Sequence, residues 1–68
     1  MIKYDKLFQK LDEKKITTYF IRKNKITGEA TLTKLRNNEP VTTVTIDKFC
    51  ALLDCQPADL MEYVPDAD

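Results

Sequence analysis

The stretch "IRKNKITGEATLTKLRNNEP", Ile21 to Pro40, decides how this chain is read. It holds five of the eleven Lys and Arg residues and the only glycine, Gly28, and has no long apolar run. Two short amphipathic segments meet at "KITGE". The first begins after Thr17, whose hydroxyl can accept an orphan backbone N–H. The spacing predicts a helix over about Thr18 to Asn24, with Phe20 and Ile21 inward and Arg22 and Lys23 outward. The second, "EATLTKLRNN", has two apolar positions, Leu32 and Leu35, three apart. Thr31, Thr33, Lys34 and Arg36 give it a wide polar face. Asn37 and Asn38 suit a helix end, and Pro40 pushes Glu39 out of helical geometry. Between the two helices, Gly28 is expected to make the break, because glycine takes positive φ without strain.

Working outward, Tyr4, Leu7, Phe8 and Leu11 recur at spacings of three and four, which predicts a first helix over about Tyr4 to Lys14. On the other side, Val41 to Ile46 is β-branched or threonine throughout, and propensity alone reads strand. The wider window reads helix, with Ile46, Phe49, Cys50 and Leu53 at i, i+3, i+4 and i+7. Thr42 fits as its cap, and the helix is expected over about Thr43 to Leu53. A last helix is expected from Pro57 through "ADLMEYV", because proline is favoured at a first helical position. The expectation is therefore an all-α fold of five short helices in a single domain, residues 1–68. Its core is Leu7, Leu11, Phe20, Ile21, Leu32, Leu35, Ile46, Phe49 and Leu53.

Composition narrows the function. Sixty-eight residues bury only about 60% of the unfolded surface, so stability is marginal. There is no histidine, which removes the commonest general base. Two cysteines, Cys50 and Cys55, fall short of the four ligands of a structural zinc site. The expectation is a non-enzyme with no metal, cofactor or small-molecule ligand. Nothing approaches the ~20 apolar residues of a membrane span. The opening "MIKYDKLFQK" lacks the apolar core of a signal peptide, which makes the cytoplasm the expected location. The net charge of zero hides an asymmetry. Residues 1–36 carry ten basic and four acidic side chains, whereas residues 37–68 carry one lysine and seven acids. Such a basic half suits a polyanion.

Two short helices joined by a tight turn make a helix-turn-helix, whose second helix can enter the major groove. The pieces "YDKLFQKLDEKKIT", "TLTKLRNNEPV" and "TIDKFCALLDCQPADLMEY" add specificity, and together they cover nearly the whole chain. On these the sequence resembles the Cro and cI repressor-like DNA-binding domains, with the lambda-repressor-like fold. It looks most like very short single-domain members from Gram-positive bacteria and their mobile elements. The resemblance implies that Thr18, starting the second helix, bonds a phosphate. Glu29 and Ala30 would touch base edges, Thr33 and Lys34 would face DNA along the third helix, and Asn37 would meet a phosphate. Lys34 and Arg36 are expected to face DNA, and Arg22 and Lys23 are read either as phosphate contacts or as solvated surface. Glu29 can accept from a cytosine amino group or simply favour a helix N-terminus.

The family usually places glycine and then an apolar residue after the second helix. Matched by length, Ile26 and Thr27 stand there, and Gly28 comes two positions late. One reconciliation puts Ile26 in the apolar slot, with Thr27 or Gly28 capping the third helix.

The function expected on this reading is sequence-specific binding of double-stranded DNA by a transcriptional regulator. It would act by operator occupancy as a repressor, and as a homodimer held through Leu60, Met61, Tyr63 and Val64. A bland alternative packs Leu60 and Val64 onto the first helix. A rival reading keeps the fold but makes it a protein-binding module, an antitoxin or adaptor that docks through its acidic half.

Overall fold

The computed structural model describes residues 1–66. Four α-helices make the body: α1 (Asp5–Glu13), α2 (Thr18–Lys23), α3 (Glu29–Arg36) and α4 (Thr43–Leu53). A short 3₁₀ turn follows at Pro57–Asp59. Two-residue strands, β1 (Ile2–Lys3) and β2 (Glu62–Tyr63), pair antiparallel with Ile2 opposite Tyr63 and Lys3 opposite Glu62.

The expected caps are in place. Thr17 accepts from the Phe20 N–H at 3.1 Å and opens α2. Thr42 accepts from the Thr45 N–H at 3.4 Å and opens α4. The β-branched run before Phe49 is helical because it does not need to be buried. Val44 lies 62% exposed, while Ile46, Phe49 and Leu53 supply one buried stripe.

The helix ends share a device that uses no glycine. Lys15, Lys25, Asn38 and Asp54 all hold positive φ, between 52° and 57°. After each, the next N–H reaches back five residues to a helix carbonyl. These bonds run from Ile16 to Leu11 (2.9 Å), Ile26 to Ile21 (3.0 Å), Glu39 to Lys34 (2.8 Å) and Cys55 to Cys50 (3.1 Å). This is Schellman closure. In three of the four, the residue after the left-handed one (Ile16, Ile26 or Cys55) packs against the core.

The core is Tyr4, Leu7, Leu11, Ile21, Leu32, Leu35, Ile46, Phe49, Leu53 and Leu60. Eight of the nine residues expected from spacing are there. Phe20 is not, being 42% exposed at a helix edge. Tyr4 and Leu60 join instead. Tyr4 is tied to the end of α3 on both sides. Its N–H donates to Asn38 Oδ1 at 3.2 Å, and its hydroxyl donates to the Glu39 carbonyl at 3.1 Å.

The fold class stands, but the expected fifth helix does not form. Pro57 starts a single 3₁₀ turn, closed by a capping box in which the Gln56 N–H donates to Asp59 Oδ2 at 3.0 Å. Leu60 then plugs the core, and its carbonyl accepts from the Leu7 N–H of α1 at 3.2 Å. Beyond it the backbone finds partners across β1 rather than along a helix, and Val64 N–H reaches the Met1 carbonyl at 2.8 Å. The alternative for Leu60 therefore wins: it packs inside the subunit and offers no surface to a second copy. The terminal "PDAD" reads from sequence as a frayed end, and its last two positions, 67–68, lie outside the described residues.

Candidate nucleic-acid interface

The helix pair α2–α3 is joined by Asn24 to Gly28. The turn is set by Lys25 rather than by the glycine. Lys25 takes φ 55°, and its N–H bonds the Arg22 carbonyl at 3.1 Å. Ile26 follows and packs half-buried against the core. Gly28 caps α3 in an extended conformation, φ −89° and ψ 173°, and a Cβ there would meet nothing within 4 Å. The sequence expectation of positive φ at Gly28 is thus corrected, while the reconciliation with Ile26 apolar and Gly28 capping describes the turn. The match by length was one residue off: the left-handed position usually given to glycine falls on Lys25, not Ile26.

Helix α3 buries Leu32 and Leu35 completely or nearly so. Its other face is open. Ala30, Thr33, Lys34 and Asn37 are all exposed and fall at i, i+3, i+4 and i+7, one continuous outward stripe. Asn37 closes the helix as its C-cap. Lys34 makes no ion pair among the described residues. It borders a shallow cleft with Thr31, Val41, Thr42 and Thr45, at the start of α4. Sequence puts Thr31 on the polar face of α3 and Thr42 at a cap, but gives no signal that they and Thr45 border Lys34.

Beside that stripe sits a charge cluster. Glu29 receives Arg22 from α2 at 2.5 Å on one carboxylate oxygen and Arg36 from the last turn of α3 at 3.6 Å on the other. The hydrogen bond from Arg22 holds the Glu29 carboxyl below its ordinary value, with the positive charge of both arginines adding to it. On α2, Thr18 is half-buried at the first position, and Lys23 lies over the Tyr19 ring at 5.7 Å. The nine residues singled out from sequence therefore fall on two adjoining helices. Three of them, Arg22, Glu29 and Arg36, are linked to one another.

Elsewhere the chemistry is quiet. Cys50 and Cys55 are free and half-buried. Burial pushes the Cys55 thiol up, with Cys50 nearby adding to it, which is opposite to an activated nucleophile. Among the described residues no cluster of three or more His, Cys, Asp or Glu side chains forms a metal-binding group, and no helix is long and apolar enough to cross a membrane.

Residues 6–66 match the Cro/C1-type HTH DNA-binding domain. The chain belongs to this family. A solved structure has a similar fold: the crystal structure of the transcriptional regulator VanUg, Form II, superposes with a TM-score of 0.85 at 26% identity. The alignment covers 96% of this chain and 87% of that one. No curated protein matches the sequence.

Proposed function

We propose that the protein is a sequence-specific transcriptional regulator that binds duplex DNA through α3, acting as a repressor by occupying its operator. One observation carries this reading. The outward stripe Ala30–Thr33–Lys34–Asn37 is solvent-exposed, short-chained apart from Lys34, and rigidly backed by Leu32 and Leu35. A helix so shaped fits the major groove. Its groups suit base edges: Ala30 a thymine methyl, Thr33 either donor or acceptor, Lys34 the guanine O6/N7 edge. Arg22, Lys23, Arg36 and Thr18 flank the stripe and, with Asn37 at its end, take the phosphates. No step of this function is catalytic, and the protein works in the cytoplasm.

A lone recognition helix reads few base pairs, so the active species is a homodimer on half-sites about 34 Å apart. With Leu60 buried inside the subunit, the apolar side chains left near the chain ends are Met1 (46% exposed), Ile2 (41%) and Tyr63 (69%). Ile2 and Tyr63 are cross-strand partners and lie on the same face of the small sheet. That face is the proposed dimer contact.

The deciding experiment selects bound sequences from a random duplex library. The expected result is one enriched palindrome whose affinity falls steeply with salt, as counterions are released from phosphate. No enrichment over the input pool would refute the reading and favour the protein-docking alternative.

A further inference from the structure

Arg22, Glu29 and Arg36 form the only ion-pair network among the described residues, and it lies on the helix pair proposed to bind DNA. Both arginines and Glu29 are about half exposed, so the cluster is not a buried structural tie. The two guanidinium groups approach different oxygens of one carboxylate, and each does so through a single Nη1. Two oxygens bridging two cations is also what a backbone phosphate presents.

We infer that Glu29 is an internal stand-in for a DNA phosphate: in the free protein it occupies Arg22 and Arg36, and a phosphate group of the duplex must displace it or share them. This rests on the DNA-binding reading above. Three consequences follow from charge alone. Non-specific affinity is held below what the cation count of α2 and α3 suggests. The salt dependence is shallower, because the carboxylate displaced from the arginines stays beside the duplex and takes up a cation against those the phosphates release. Discrimination then leans on the Ala30–Asn37 stripe, which no carboxylate occupies. Glu29 then does more than either a cytosine contact or a helix N-terminus asks of it. It is not a base reader, and its favourable place at a helix N-terminus is only part of what it does.

The test is a double-mutant cycle read by fluorescence anisotropy on a random-sequence 20-bp duplex, across a salt series. Glu29→Gln should raise affinity about tenfold and steepen the salt slope by roughly one to two. Arg22→Ala alone should weaken binding only modestly, because Glu29 already occupies it, whereas in the Glu29→Gln background it should remove most of the tenfold gain. That non-additivity marks direct coupling. Glu39→Gln is the control for a plain change of charge: it removes a carboxylate just beyond α3 that makes no ion pair among the described residues. Equal gains from Glu29→Gln and Glu39→Gln, with an additive cycle, would overturn the inference while leaving DNA binding intact. Weaker binding by Glu29→Gln would overturn it too, since Glu29 would then be aiming the arginines. No salt-dependent binding by wild type would sink the functional reading itself.

Discussion

Lys25 carries strain that the sequence hid. Its φ of 55° lies in the left-handed region, which costs a side-chain-bearing residue roughly 1–2 kcal/mol. Glycine there would relieve the strain, offset by roughly 0.5–1 kcal/mol from its freer unfolded chain. Lys25→Gly is therefore expected to stabilise by about 0.5–1 kcal/mol and raise Tm by a few degrees. A thermal melt at or below wild type would show that the turn is held some other way. Gly28 misled the sequence reading because glycine is an equally good N-cap, and only the position of the Ile26 N–H bond separates the two roles. Glu29 offers a second check at this scale. A carboxyl held low stabilises its pairing above the ordinary carboxylate pKa, and the pairing is lost as pH falls through the lowered value. Carbon-detected NMR titration should place Glu29 below the unperturbed value of about 4.3, and Arg22→Ala should raise it toward that value, with Arg36 still lowering it. An unmoved titration in the variant would mean that Arg22 is not the cause.

At the scale of elements, α1 to α4 were legible. In α1, α3 and α4 the signal is a buried stripe at helical spacing; α2 buries Ile21 alone, and it and α4 start at a threonine that caps them. The final segment was not legible. Strands of two residues are too short to show an alternation, and the partner of β2 is β1, at the far end of the chain. Pro57 did mark a helical start, but Leu60 is drawn into the core after a single turn. The candidate site was half legible. The helical pattern placed Arg22 on α2 and Glu29 and Arg36 on α3, yet the joining of Arg22 to Arg36 through Glu29 depends on how α2 and α3 cross. Helix α3 yields the prediction for this scale. Lys34→Ala should weaken operator binding by about 1–3 kcal/mol and relax preference at one base pair if Lys34 reads a guanine. If it holds a phosphate, all sequences weaken alike and the salt slope falls by about one. Gel-shift titrations on matched and altered duplexes separate the two, and unchanged affinity on every duplex would remove α3 as the reader.

Across the whole molecule, charge and chain order run together. The basic residues 1–36 build α1 to α3, and the acidic residues 37–68 begin where α3 ends. Net charge alone conceals this, since the formal total is zero. A protein so divided can present one side to DNA while the strand end stays clear of it. Tyr63→Asp adds a charge to that end without disturbing the core. It is expected to shift sedimentation from a two-to-one complex on a palindromic duplex toward one-to-one, with the melt close to that of wild type. A one-to-one complex for wild type as well would remove the dimer.

The strand pair also sets the order in which the chain finds its fold. Met1 and Val64 are 63 positions apart, yet their backbones are bonded. Closing so long a loop costs about 3–4 kcal/mol of chain entropy, which the helix turns, all local, do not incur. The helices should therefore dock first, and the two chain ends should zip shut after the rate-limiting barrier. Leu60→Val, costing roughly 1 kcal/mol, is expected to speed unfolding and leave the refolding rate almost unchanged, whereas Leu32→Val should slow refolding. Stopped-flow chevrons for the two variants measure this directly. A refolding arm slowed by Leu60→Val would mean that the ends meet early and the helices assemble around them.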